Sequence, residues 1–322
     1  MENKDNVKRV LIISVVVSAA LVFLTWLLVP RLDNTIHLPD KGAHWYFWQR
    51  ADPNFISRLS AWLGYSLHQV FIWLLIIKAR KNDRTGSGVV SRYNIAALLI
   101  NLVFILLHML QTQIWYDGLA QDVPIWTSQG SVIVMLVLTL VMLTPRRGFI
   151  IGKKISLPTR SIKFLNIFHG FFISWALIYT FWFHPMDGSY GLLSGFFYMF
   201  LLFTQLSLFN TKLHLNMKWL VVLETMVAVH GTLITLEKAN PIWPMFLSGF
   251  LFMFAFTYIF GLTKNKLIRI GVIILYIAGV IVMYNVRGFN NLYEVSFIPA
   301  ALYGGGIVLI LLLKLAGKKK AD

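Results

Sequence analysis

Cysteine is absent from this chain of 322 residues, and its absence excludes several kinds of site. Without thiols the protein has no disulfide framework, no thiolate nucleophile and no zinc or iron–sulfur site built on cysteine. Charged residues are scarce as well, at 13%, whereas soluble domains carry roughly 25%. The HExxH, GxSxG and P-loop patterns are missing, as are the paired histidine boxes of membrane desaturases. No motif in the sequence identifies a reaction.

Long apolar runs are the dominant feature of the sequence. Hydrophobic residues make up 57% of the chain, and the mean hydropathy is +0.69. Apolar runs of 18 or more residues recur, and each can cross about 30 Å of hydrocarbon. We predict an all-α, polytopic transmembrane helix bundle of about ten helices, with residues 1–322 forming a single transmembrane domain. The predicted spans are 10–29, 59–77, 94–114, 128–144, 164–183, 191–209, 218–236, 244–262, 267–284 and 295–313.

The distribution of charge gives these spans an orientation. With the N-terminus inside, 23 of the 29 Lys and Arg residues lie in the predicted cytoplasmic segments and six lie in the outer segments. This asymmetry is the positive-inside pattern of a cell-membrane protein, so we expect both termini in the cytoplasm. The net charge of +16 is then a feature of the membrane surface. It points to anionic lipid headgroups of the bilayer and not to nucleic acid. The sequence leaves the oligomeric state open.

Three further features of the sequence carry information. Residues 193–200 and 247–254 are identical at six of eight positions, which predicts a same-sense repeat of a helical hairpin in spans 5–6 and 7–8. The outer segment 30–58 is polar and aromatic, as expected for a segment at the membrane interface. The outer loop 115–130 is acidic and rich in Trp and Gly, and we consider it a possible cap over an outward-facing pocket.

Histidines inside the spans are the first candidate functional residues, because polar groups in hydrocarbon are costly. Neutral imidazole is a good ligand for iron, copper or zinc, so a transition metal or haem is a possible cofactor. The candidate metal ligands are His68, His108, His184 and His230. The alternative is structural: each ring would instead hydrogen-bond to a neighbouring helix or to water.

Two carboxylates are the candidate catalytic residues. Glu224 falls within the seventh span, on a face shared with Ala228, Gly231 and Thr235, and we expect this face to turn inward. We expect a partner such as His169 for its carboxyl group. Asp187 follows His184 at the outer boundary.

These features are compatible with three functions. The favoured one is a membrane-embedded enzyme or cofactor protein that acts on a lipidic, amphiphilic or other small-molecule substrate in an outer-half pocket of His and carboxylate groups. The first alternative is a secondary transporter coupled to protons or cations through Glu224. The second is a sensor or assembly factor without catalytic activity.

Overall fold

Ten helices that are long and apolar enough to span a membrane are seen among the described residues in a computed structural model of the protein. It describes residues 2–32, 34–39, 48–82, 89–237 and 242–318. The prediction of an all-α bundle with ten spans is confirmed. The aromatic run 44–47 and the C-terminal residues 319–322 lie outside the described residues. The helices are α1 (Glu2–Leu28), α2 (Phe55–Asn82), α3 (Arg92–Trp115), α4 (Ile125–Arg147), α5 (Thr159–Phe183), α6 (Tyr190–Ser207), α7 (Met217–Glu237), α8 (Trp243–Leu262), α9 (Lys266–Arg287) and α10 (Glu294–Lys318).

The helices are divided between two compact units. Unit 1 comprises Met1–Val132 and Gly170–Leu215, and unit 2 comprises Ile133–His169 and Asn216–Asp322. The chain therefore changes unit three times: within α4, within α5 and between α6 and α7. Each unit is described below by itself.

A ridge of small residues on α2 organises the core of unit 1. Ser57, Ala61 and His68 on this face are fully buried. Gly64 lies on the same face, and a Cβ atom there would overlap the indole ring of Trp182 on α5. The glycine therefore allows α2 and α5 to approach closely, as small residues do in membrane helix packing.

Unit 2 is built around α8, which packs against α7 and α10. The middle of α8 contains a π-helical turn, Phe254–Tyr258. Within this turn the Thr257 hydroxyl donates to the carbonyl oxygen of Phe149 at 2.9 Å and lies 2.6 Å from the Tyr303 hydroxyl. These bonds connect α8 with α10 and with the chain that follows α4.

The loops at one end of unit 1 form an ordered layer, which we call the outer end because the charge distribution predicts that it faces outward. Within segment 30–58, the described residues between Leu32 and Phe55 include an extended pair, in which His37 is bridged antiparallel to Arg50. The Leu38 amide donates to the Gln49 carbonyl at 2.9 Å. The Arg50 amide donates to the Gln121 side chain in the loop after α3 at 3.0 Å. Two outer segments are thus bonded to each other.

Candidate functional site

Three side chains from three separate loops meet at the outer end of unit 1. Tyr116 follows α3, Asp187 precedes α6, and His37 lies in the extended pair. The Tyr116 hydroxyl donates to Oδ2 of Asp187. The rings of His37 and Tyr116 have their centroids 5.0 Å apart. We call His37, Tyr116 and Asp187 the outer triad.

His37 is the member of the outer triad with unused bonding capacity. Its Nε2 atom is buried and has no hydrogen-bond partner among the described residues. Burial lowers the pKa of the His37 imidazole, and the nearby charge of Asp187 offsets part of this effect. The ring therefore stays neutral at pH 7 and retains a nitrogen that can exchange a proton.

Tyr116 is held in an unusual backbone conformation. Its φ is +41°, in the left-handed region, where it caps α3 and donates its amide to the Thr112 carbonyl at 2.8 Å. A non-glycine residue in this region costs on the order of 1–3 kcal/mol, and such residues occur at helix C-caps as well as at functional sites. The Thr112 hydroxyl also accepts the Met186 amide at 2.9 Å. The end of α3 is thus fixed to the segment that carries Asp187.

A second carboxylate, Asp117, is buried next to the outer triad. It is 2% exposed and accepts hydrogen bonds from the Ser57 hydroxyl at 2.7 Å and from the Gly118 amide at 2.9 Å. Burial raises the pKa of the Asp117 carboxyl group, and the two hydrogen bonds only partly offset that effect. Asp117 therefore takes up a proton at higher pH than an ordinary aspartate.

Two of the predicted metal ligands, His68 and His108, lie in the core of unit 1. His68 Nε2 donates to Oδ1 of Asn101 at 2.9 Å, and its Nδ1 accepts the indole N–H of Trp182 at 3.2 Å. His108 Nε2 donates to the His184 carbonyl at 2.7 Å, and its Nδ1 lies 3.0 Å from the side chain of Gln111. Both rings are fully buried. In this arrangement His68 has no free lone pair to offer a metal.

The other two predicted ligands lie elsewhere. His184 lies at the outer end of unit 1, where its ring is edge-on to the Trp48 ring with centroids 6.3 Å apart. His230 belongs to α7 in unit 2. The described residues contain no group of three or more His, Asp or Glu side chains placed to hold a metal ion. Metal binding by these histidines stays a prediction.

Glu224 is paired with an arginine in unit 2. Arg147, the last residue of α4, donates to both carboxylate oxygens of Glu224, with Nη2 and Oε1 2.6 Å apart. The two side chains are 0% and 7% exposed. His169 instead lies 2.9 Å from the carbonyl of Leu165 on its own helix. The expected Glu224–His169 pair is therefore wrong.

The inward orientation of the Glu224 face is confirmed, since Ala228, Gly231 and Thr235 are buried as well. Arg147 was not predicted as the partner of Glu224, because it was counted with the basic residues of a cytoplasmic loop. The α4 helix continues through Pro145 to Arg147, so the guanidinium group ends inside the helix bundle. A buried carboxylate needs a nearby cation, and a basic residue at the end of an adjacent helix can supply it. This requirement could have identified Arg147.

A polar stripe runs along α3 inside unit 1. Asn94, Asn101 and His108 recur at intervals of seven residues, and all are buried. Asn94 donates to the Ser207 carbonyl at 2.7 Å, and Asn101 donates to the Ser207 hydroxyl at 3.0 Å. Thr112, one turn further along α3, is buried as well. Neither Asn94, His37 nor Tyr116 was predicted as a functional residue.

No protein family, curated protein or solved structure matches this chain significantly. The function is therefore inferred from its own residues.

Proposed function

We propose that the protein is a membrane-embedded enzyme that carries out acid–base chemistry at the outer end of unit 1. The observation that supports this most directly is the outer triad. Three polar side chains converge from separate loops, one in a strained conformation and one with a buried, unpaired nitrogen. Structural polar groups are normally satisfied when buried, so this combination favours a reactive site.

His37 is the proposed base. Its neutral ring takes the proton of a substrate hydroxyl or of a water molecule, and the oxygen then attacks an electrophilic centre of the substrate. The carboxylate of Asp187 stabilises the imidazolium ion that forms, as a carboxylate near a catalytic histidine does in other hydrolytic sites. The Tyr116 hydroxyl fixes the position of Asp187. Asp117, with its raised pKa, is a proposed proton donor to the leaving group.

The substrate class is an amphiphile. The outer triad lies where α3 ends and α6 begins, so a bound molecule meets apolar helix surfaces on one side and the polar loops on the other. A hydrolysis or group transfer on the polar end of such a molecule fits this location. We further propose that the site faces the outside of the cell membrane.

The experiment compares lipid and amphiphile extracts from cells that lack the protein with extracts from cells expressing wild type, His37→Gln or Asp187→Asn. Mass spectrometry should show one amphiphile that accumulates, and one product that is depleted, in the deletion cells and in both variants. Asp52→Asn, which changes an exposed carboxylate that pairs with Arg50 at the same end, should restore the wild-type profile. Wild-type profiles in both triad variants, at equal protein levels in the membrane, would contradict the proposal.

A secondary transporter is the second candidate, and the polar stripe along α3 favours it. A buried row of polar groups through a membrane helix is typical of a path for protons or small polar solutes. Proton uptake by protein reconstituted in liposomes distinguishes the two candidates. Uptake that is lost in Asn101→Leu but retained in Asp187→Asn would support transport and count against the enzyme.

A further inference from the structure

Gln69, in the middle of α2, has no hydrogen-bond partner in the part of the chain that the structure describes. Both atoms of its side-chain amide, Nε2 and Oε1, are buried and unpaired, and the residue is 6% exposed. It lies 14 residues after Phe55, the first residue of α2, which is about 21 Å along a helix. No water is available at that depth of a bilayer, so an unmet donor and an unmet acceptor are both costly.

The surroundings of Gln69 are defined by its neighbours one turn away. Residues four apart share a helix face, and both such neighbours of Gln69 contact α5. The ring of Tyr65 meets Tyr179 edge-on with centroids 5.8 Å apart. The indole N–H of Trp73 donates to the Ser174 hydroxyl at 3.2 Å. Gln69 therefore lies in the contact region between α2 and α5. We call this region the α2–α5 seam, formed by Tyr65, Gln69, Trp73, Phe171, Ser174 and Tyr179.

The other polar groups of the α2–α5 seam already have partners. The Trp73 indole is bonded to Ser174, whose hydroxyl donates to a backbone carbonyl of α5 at 3.0 Å. The Tyr179 hydroxyl donates to Thr127 at 2.7 Å. The Tyr65 hydroxyl is hydrogen-bonded to the Trp175 side chain. Among the seam residues, the buried amide of Gln69 alone has no partner in the described part of the chain, and it carries a donor and an acceptor side by side.

We propose that the α2–α5 seam binds a bilayer-soluble molecule with a neutral carboxamide or a protonated carboxylic acid at one end. Such a group pairs with Gln69 through two hydrogen bonds, one accepted by Oε1 and one donated by Nε2. The aromatic side chains contact the apolar part of the molecule, which is an acyl chain or a ring. This site is separate from the outer triad, and the inference does not depend on the proposed enzymatic function.

The test uses two primary amides as probes, oleamide for an acyl chain and 4-hexylbenzamide for a ring, with N,N-dimethyloleamide as the probe that lacks the N–H donors. Binding to purified full-length protein in detergent is measured by the rise in thermal midpoint and by titration. At least one primary amide should bind wild type, and the tighter of the two identifies the apolar part. N,N-dimethyloleamide should bind at least tenfold more weakly than oleamide if the ligand is acyl.

Gln69→Leu is the diagnostic variant, because leucine keeps the apolar volume and removes both polar atoms. Without probe, Gln69→Leu should be at least as thermostable as wild type, because an unpaired amide is lost. Weaker binding by this variant would then not be caused by unfolding. The variant should bind the preferred primary amide about tenfold more weakly. Gln129→Leu, the same change at an exposed position of α4, should bind as wild type does. Failure of both primary amides to bind wild type, or equal binding by Gln69→Leu, would overturn the proposal.

Discussion

Glu224 and Arg147 illustrate what a charge inside a membrane helix bundle requires. Removing a carboxylate from water is costly, and a second charge with good hydrogen-bond geometry has to offset that cost. Arg147 supplies this geometry with two parallel N–H donors. Its guanidinium carbon also lies 4.7 Å from the ring centroid of Tyr258, which adds a cation–π contact. We therefore expect the pair to stabilise unit 2, and the catalytic role of Glu224 stays a prediction.

Breaking this pair from one side should destabilise the protein strongly. Glu224→Gln leaves the Arg147 charge buried without its counter-ion, which costs roughly 3–5 kcal/mol in comparable pairs. The thermal midpoint in detergent should fall sharply and should recover in the double variant Arg147→Met, Glu224→Gln, which buries no charge.

Arg146→Met is the control for the Glu224 experiment, because Arg146 is the adjacent arginine and its side chain is exposed; its effect should be small. A Glu224→Gln protein as stable as wild type would show that the buried ion pair does not stabilise unit 2.

The burial of His68 and His108 followed from the sequence, but their chemistry did not. Their positions in apolar spans placed them inside the membrane, and both are fully buried. Their partners are Asn101, Trp182 and the His184 carbonyl, which come from other parts of the chain. Hydropathy gives depth along one helix, whereas hydrogen bonding depends on which helices pack together. The same reason explains why His37 and Tyr116 were missed.

At the scale of helices, the apolar runs predicted all ten spans, but the predicted lengths of several spans were too short. The first span was predicted as 10–29 and the second as 59–77, whereas α1 begins at Glu2 and α2 extends to Asn82. The predicted boundaries stopped at the first polar residues. The helices continue beyond them because Lys and Arg at a span's end reach the headgroups without breaking the helix.

The close contact of α2 with α5 depends on Gly64. A Cβ atom at this position would overlap the Trp182 indole, and that ring is held by its hydrogen bond to His68. Gly64→Ala should therefore lower the free energy of unfolding by about 1–3 kcal/mol, the usual cost of overpacking.

Gly130→Ala on α4 is the matched control for Gly64, because a Cβ atom there meets nothing within 4 Å. It should raise stability by about 0.5–1 kcal/mol, since alanine favours a helix interior. Equal effects of the two changes on the thermal midpoint would contradict the close approach of α2 and α5.

The two copies of the sequence repeat have different helical geometry. The first copy lies in α6, which is regular from Tyr190 to Ser207, whereas the second lies in α8 and runs into the π-helical turn Phe254–Tyr258. The serine that the two copies share donates to a carbonyl of its own helix in each case, Ser194 to Gly191 and Ser248 to Pro244. Local similarity alone does not decide a duplication of hairpins, which stays a prediction.

At the scale of the whole molecule, composition and charge were the informative features. Scarce charge and long apolar runs predicted a polytopic membrane protein, and the described residues form ten helices that are long and apolar enough to span a membrane. The division into two units was not predicted, because it depends on contacts between helices far apart in sequence. The orientation of the bundle depends on the positive-inside rule and underlies the proposal of an outward-facing site.

Labelling of single cysteines in intact cells tests this orientation most directly, because the chain has no cysteine of its own. Asp52→Cys lies at the outer end of unit 1, and Lys153→Cys lies in the segment between α4 and α5; both positions are exposed. A membrane-impermeant maleimide should label Asp52→Cys in intact cells and should label Lys153→Cys only after the cells are permeabilised. The opposite pattern would place the outer triad in the cytoplasm and would contradict the proposed outward-facing site.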